Sequence, residues 1–394
     1  MKIGIRQAGL YAIMAYGFFS AVSITLSEIF LISGIICALL MVIKRRASLK
    51  EIFAVRAAIA IGVFSVIHIT AAALGIDPAA SLKDTRKLYL LLMFFISGFF
   101  IRSDSDLKKV IVVFMAGAVF TAVYASGEAL FHRFIKGDMD FRASSFSGTY
   151  MHLGGMMMMA AVIGAGMAVY SAMNKKRKEA VLYGAATALI LTALLFTFTR
   201  GSWLGAAIGI IIVAAAAGRR ALFALLIVMA AAGFVMKDTS FFQRAASSFK
   251  PAHGTSAGER LYMWEAGMKI FKSRPLTGIG TAALDRIYPE YKNPKAFEPN
   301  AGHLHNNLLQ IGVINGIFGL AAFLWIFAAV WAGLIKRMKE SGGFRRAVFL
   351  TVFAAVTAFF INGFFEYNFF SSQPALMFWF LAGLLNFGGR DETA

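Results

Sequence analysis

Charge is scarce in this chain. Only 15% of its 394 residues are Asp, Glu, Lys or Arg, and acids are the scarcer sign, 20 against 39 Lys and Arg. Soluble domains carry about 25% charged residues to hydrate their surface, so this composition excludes an ordinary water-soluble globule. Cysteine is scarcer still. Cys37 stands alone inside an apolar run, which excludes an internal disulfide framework and a cysteine-based metal site and leaves packing as its role. No internal repeat or low-complexity segment is evident. The first apolar run follows Lys2 and Arg6 without a small-residue cleavage site behind it. No cleavable signal peptide is therefore expected, and the chain should insert through its own helices.

What is abundant is apolar: 59% of residues are hydrophobic and the mean hydropathy is +0.70. A helix needs about 20 apolar residues to span a bilayer. Twelve segments qualify, approximately 8–27, 29–43, 52–74, 88–101, 110–125, 154–172, 180–198, 203–217, 221–236, 308–335, 347–365 and 373–388. The expected fold is an all-α integral membrane protein, one polytopic domain over 1–394. Lys and Arg are retained on the cytoplasmic side of short loops. They gather at every second connection: Lys44, Arg45, Arg46 and Lys50; Arg102, Lys108 and Lys109; Lys175, Lys176, Arg177 and Lys178; Arg219 and Arg220; and Lys336, Arg337, Lys339, Arg345 and Arg346. Both termini should then be cytoplasmic. Much of the formal +19 is a topology signal, and nucleic acid is not expected as a partner.

Two outward connections, 126–153 and 237–307, are too long for simple turns, and loops on a rigid scaffold carry function. The later one holds ten basic residues against six acids, contrary to the inside bias, which asks for an anionic partner. Within it, SAGERLYMWEAGMKIF reads as an amphipathic helix. Ser256 and Glu259 match a capping box, Leu261, Trp264, Met268 and Phe271 recur at helical spacing, and Pro275 closes the segment. Such a helix is expected to lie at the outer interface with that apolar face toward lipid or bundle.

Several polar residues stand out against this background. Arg200, in FTFTRGSWLG, sits between two apolar runs with almost no loop; it is either an arginine snorkelling to headgroups or a phosphate clamp, with Gly201 permitting close approach of a ligand. Arg260 opens the amphipathic helix, where the dipole and free N–H groups favour an anion and a planar guanidinium grips phosphate oxygens in pairs; a salt bridge to Glu259 is the plainer role. His303 and His305, in HLHNN, point to one side if the segment is extended. They suit a metal pair with Glu298 as a weak third ligand, a general base with a helper, or simple interfacial polarity. Asn306 and Asn307 would orient the base, bind sugar hydroxyls or start the helix. Arg142 and His152 bracket the SSFSGT stretch, either a flexible loop ending in an N-cap or a wall of the same site. Glu366, in FFEYNFF, is placed to anchor one of the arginines. His68 and Arg56 read as a packing histidine and a snorkelling arginine.

Taken in order, these stretches resemble the O-antigen ligases and their relatives among the O-antigen polymerases. FTFTRGSWLG is similar to the family's Arg-Gly turn, ERLYMWEAGMKIFKSRPLTGIG to its segment ending in Pro-x-x-Gly-x-Gly, and HLHNNLLQIGVINGIFG to its His-Asn start of a Gly-x-x-Gly helix. FRASSFSGTYMHLGG is fainter, with His152 where Asn is more usual. The resemblance covers nearly the whole chain as a pattern of about twelve spans with one large late periplasmic loop. It implies glycan transfer at the periplasmic face of a bacterial inner membrane, from an undecaprenyl diphosphate carrier to a sugar hydroxyl, on lipid A-core for a ligase or on a second carrier-linked glycan for a polymerase. Arg200 and Arg260 would hold the diphosphate, with Arg142, His152, Asn306 and Glu366 around the substrates. His305 or His303 would take the hydroxyl proton. The resemblance implies no cofactor and no metal. Two readings of other classes compete: a transporter, whose site would sit nearer the midplane, and a lipid-binding scaffold without turnover.

Overall fold

Inside a bilayer no water is available to backbone N–H and C=O groups, so each apolar run must satisfy its own polar groups as a helix. The computed structural model, which describes residues 4–44, 56–235, 237–239 and 255–387, is helical throughout, and no strand occurs among the described residues. The helices are α1 (Ile5–Phe19), α2 (Ile24–Ile43), α3 (Arg56–Ala73), α4 (Pro78–Asp84), α5 (Leu92–Ile96), α6 (Asp104–Leu130), α7 (Tyr150–Met173), α8 (Arg177–Phe196), α9 (Arg200–Ala217), α10 (Arg219–Val235), α11 (Ser256–Ser273), α12 (Leu284–Tyr291), α13 (Asn307–Glu340), α14 (Gly343–Asn362) and α15 (Ser372–Gly383). Eight of them, α2, α3, α6, α7, α8, α9, α13 and α14, are long and apolar enough to cross a membrane. Arg45, Arg46, Lys50, Arg244 and Lys250 lie outside the described residues.

Several of the twelve expected spans depart from plain spanning helices: 8–27 ends as a helix at Phe19, 373–388 passes into a 3-10 turn after Gly383, and three more differ as follows. Residues 88–101 form no continuous helix: a 3-10 turn (Thr85–Leu91) runs into the five-residue α5, then into turns. Phe94, Phe95, Ile96, Phe99 and Phe100 are all buried, and irregular backbone at membrane depth is tolerated only where protein surrounds it. At the other extreme, α6 runs past the expected 125 and ends in a π turn over Phe131–Ile135, which shortens the connection expected at 126–153. Third, the span expected as 308–335 is broken inside at Gly316, where φ is +67.

The core is built around α7, which packs against α8, α9 and α14. Its run Met156–Met159 is wholly buried, flexible thioethers filling space between bulkier helices. α15 is short, and Ala375 to Ala382 within it are all interior. α10, by contrast, buries none of its residues. At one end of the bundle, ion pairs tie the basic connections together: Arg345 to Asp104, Lys108 to Glu179 and Arg6 to Asp106. The site described next lies at the opposite end, where α6 joins α7, α8 joins α9 and α14 joins α15.

Candidate functional site

The break in α13 explains the glycines of PLTGIG. A left-handed residue interrupts the helical ladder and frees carbonyls within it. Ile317 N–H donates to the Pro275 carbonyl, while the Val313 and Ile314 carbonyls accept from Ile279 N–H and Gly280 N–H. Residues 275–280 thus plug the break. Contact is so close that a Cβ on Gly278 would stand 2.5 Å from the Ile314 carbonyl carbon, and one on Gly316 would stand 2.1 Å from the Leu276 oxygen. Below it, Ser81 of α4 holds the same strap through Thr281 and Ala282. The N-terminal half of α13 is therefore rigidly placed, and HLHNN leads into it.

At that N-terminus, Asn306 caps the helix by accepting from Leu309 N–H and donates its amide to the Phe364 carbonyl. Asn307, fully buried, locks the connection between α14 and α15: its amide nitrogen donates to Asn368 Oδ1 at 2.6 Å, and its oxygen accepts from the Asn368 and Phe369 N–H groups. Both asparagines thus serve local architecture. His303 and His305 do converge, their rings 4.2 Å apart. They do so through a left-handed backbone at His305, φ +48, rather than through an extended segment, and a non-glycine residue held there carries strain characteristic of functional sites.

The carboxylate at the centre is Glu366, not Glu298. His305 Nδ1 lies 3.1 Å from both Glu366 oxygens, His303 Nε2 3.7 Å from one, and Arg260 3.6 Å from the other. Burial by itself would raise the Glu366 carboxyl, yet the His305 hydrogen bond and the neighbouring His305, His303 and Arg260 hold it below its ordinary value. An ionised carboxylate accepts only, so it is His305 Nδ1 that donates to Glu366. His303 is kept neutral, first by burial and then by His305.

Arg260 reaches this centre from the first turn of α11. The capping box expected there is replaced: Thr255, not Ser256, accepts from Gly258 N–H, and buried Glu259 accepts from Phe297 and Glu298 N–H. Glu259 is thus a clamp on the following loop, not a partner of Arg260. Of the expected apolar stripe of α11, Trp264 and Phe271 pack against the core. Met263, Ala266, Gly267 and Ile270 are interior, whereas Leu261 and Met268 are exposed, because Gly267 must admit Leu304 and Leu309 closely. Trp264 donates to the Leu304 carbonyl, pinning α11 to HLHNN.

Arg200 is the first residue of α9 and donates to Ser256 at the start of α11, so the positive ends of two helix dipoles meet beside it. Gly201 lines the same cavity and is also closely packed, since a Cβ would lie 2.8 Å from Asn362 Oδ1. Arg142 lies over the Tyr150 ring and donates to the Thr197 and Phe198 carbonyls, thereby holding the left-handed Phe198 turn that presents Arg200. Arg142, Arg200 and Arg260 line one cavity together with Tyr150, Ser256 and Glu366. An adjoining cavity of about 480 Å³ shares Arg260 and Tyr150 and reaches His305 and Glu298. His152 does not line either; it sits in the first turn of α7, its N–H capped by Thr149. His68 is a buried packing histidine against Asn315, Phe64 and Phe370, and Arg56 is exposed at the start of α3.

The arrangement offers a base with a fixed tautomer, an ionised orienting carboxylate and a guanidinium-lined pocket for an anion. The hub role of Glu366 and the lock by Asn307 escaped sequence reasoning, because both depend on contacts across about sixty residues. Glu366 was expected to anchor an arginine, and Arg260 does lie beside it; its contact with His305 had no local signal. Residues 185–324 match the family model described as O-Antigen ligase. That stretch contains Arg200, Arg260, His303 and His305 and leaves Arg142, His152 and Glu366 outside it. A search of curated proteins finds no match to the chain.

Proposed function

From that match and this geometry we propose that the chain is an O-antigen ligase, transferring a glycan from undecaprenyl diphosphate to a sugar hydroxyl of lipid A-core at the periplasmic face of the inner membrane. The carrying observation is the ionised Glu366 between His305 and Arg260, beside the arginine-lined cavity. Glu366 holds the His305 ring by Nδ1–H, so Nε2 takes the proton from the acceptor hydroxyl. The acceptor oxygen bonds to the anomeric carbon as the bond from that carbon to the diphosphate oxygen breaks. Both electrons leave with undecaprenyl diphosphate, whose charge Arg200 and Arg260 stabilise, helped by the two helix N-termini. Diphosphate is already a good leaving group, so the reaction requires neither nucleoside triphosphate nor metal, in the manner of a GT-C glycosyltransferase. His303 screens the centre, and Arg142 acts by holding the Arg200 turn.

The orientation behind this reading has both termini in the cytoplasm and the whole of 1–394 as one polytopic domain, with the carrier tail remaining in lipid while the acceptor arrives from water. The test uses a strain lacking its own ligase, complemented with the intact chain or with His305→Ala, Arg200→Ala or Arg260→Ala at matched membrane levels. Lipopolysaccharide laddering with the intact chain, lost in the variants while carrier-linked glycan accumulates, is the expected result. Longer carrier-linked chains without laddering would reassign the site to the family's polymerases, which use a second carrier-linked glycan as acceptor. No change in either glycan would overturn the transferase reading.

A further inference from the structure

His303 Nε2, His305 Nδ1 and a Glu366 oxygen lie within 4.8 Å of one another. Two of the separations are 3.7 and 3.1 Å. Around a tetrahedral zinc ion with bonds of about 2.0–2.2 Å, neighbouring ligand atoms stand roughly 3.3–3.6 Å apart. The two separations bracket that spacing, and two imidazoles with one carboxylate are the ligand types such an ion takes. His305 also lines the cavity of about 480 Å³, which leaves room for a fourth ligand. We propose that this triad binds a divalent transition-metal ion of the zinc type, and that the ion switches the site off.

The second half rests on the role of His305 proposed above and follows from the chemistry of one ring. A neutral imidazole has one N–H and one lone pair. Without metal, Glu366 accepts from Nδ1–H and the lone pair is at Nε2, free to take a proton. A metal ion bound at Nδ1 takes its lone pair there, and the single ring proton moves to Nε2. The ring then has no position for the acceptor's proton, and the Glu366 oxygen that accepted the N–H binds the ion instead. Metal occupancy and base catalysis are mutually exclusive on this geometry, although no bond to substrate is touched.

The test is a titration of the purified full-length protein in lipid nanodiscs with Co2+, whose tetrahedral complexes absorb strongly in the visible range. One ion per chain, displaced by Zn2+, is expected. His303→Ala and Glu366→Gln should each weaken binding by more than the roughly 10- to 100-fold that outer-shell partners cost, while His132→Ala, remote from the centre, leaves it unchanged. Size-exclusion profiles matched to the intact protein identify variants that fold. No binding, or equal binding by folded His303→Ala and Glu366→Gln, overturns the site. Glycan transfer in the same nanodiscs should fall as Zn2+ fills the site and return with a chelator; transfer that is unchanged or faster with the site filled overturns the switch. If no transfer is seen under any condition, the proposed function fails, while the cobalt titration still decides the site.

Discussion

At the scale of single residues, Glu366 organises the centre although it need not touch substrate. Its carboxylate fixes which nitrogen of His305 carries the proton. Glu366→Gln keeps the shape but presents an amide that can donate to Nδ1, which favours the opposite tautomer. We expect transfer rate to drop on the order of 10²- to 10⁴-fold, comparable to loss of a general base itself, with little change in apparent affinity for the carrier-linked donor. A larger effect on donor affinity than on rate would mean that Glu366 acts through Arg260 instead. Gly201 makes a second case. Gly201→Ala places a methyl against Asn362 and Phe365, the latter 2.9 Å away, and overpacking of this kind costs about 1–3 kcal/mol. Thermal unfolding in detergent should show the loss, and unchanged stability would mean that the α14 end shifts freely. Arg200 and Arg260 were legible as anion-binding candidates because an arginine at an apolar boundary is costly and rare. Glu366 was legible as an anchor for an arginine, and Arg260 lies beside it, but not as the partner of His305, since nothing local says that His305 lies 61 residues upstream at hydrogen-bond distance.

Between residues and molecule stand the elements, and here the broken α13 governs the site. Its two halves are joined at Gly316 through hydrogen bonds supplied by residues 275–280. Gly316→Ala demands a left-handed alanine and meets the backbone oxygen of Leu276, which has no rotamer to yield. We expect a cost of about 1–3 kcal/mol for the dihedral alone, more for the clash, and loss of transfer as the strap and HLHNN separate. Retained activity with a normal unfolding temperature would show that the break is not needed. Asn307→Ala leaves the Asn368 and Phe369 N–H groups buried without their partner, at about 1–3 kcal/mol each, and should loosen Glu366; protection of the 363–371 amides from hydrogen exchange measures this directly. Apolar run length located the eight helices long enough to cross a membrane but not the irregular 88–101, and α11 shows the limit of periodicity. Leu261, Trp264, Met268 and Phe271 share one helical stripe, of which Trp264 and Phe271 pack against the core, but the fully buried positions fall on the smaller-residue stripe, because helix-to-loop contact needed Gly267 and Ala266 more than it needed bulk.

For the whole molecule, the distribution of charge makes the central prediction. Basic connections collect at one end and the candidate site at the other, so from the inside bias of Lys and Arg we expect the site to face outward. In a Cys37→Ser background, Met139→Cys should react with a membrane-impermeant maleimide in intact spheroplasts, and Lys178→Cys only after permeabilisation. The reverse pattern would turn the site toward the cytoplasm and overturn the proposed periplasmic reaction.

By itself the sequence determined the class of solvent, the helical character of the chain, the basic end of the bundle and the residues able to grip an anion or take a proton. Each of these follows from composition or local spacing, because hydrophobic burial and backbone satisfaction act on contiguous segments. Tertiary structure alone decided which polar groups meet: that His305, His303 and Arg260 share Glu366, that PLTGIG mends the break in α13, and that residues 88–101 pack as irregular backbone inside protein. Those outcomes depend on distances across the bundle, set by close packing of glycines and aromatics from remote segments. No pattern within one segment encodes them.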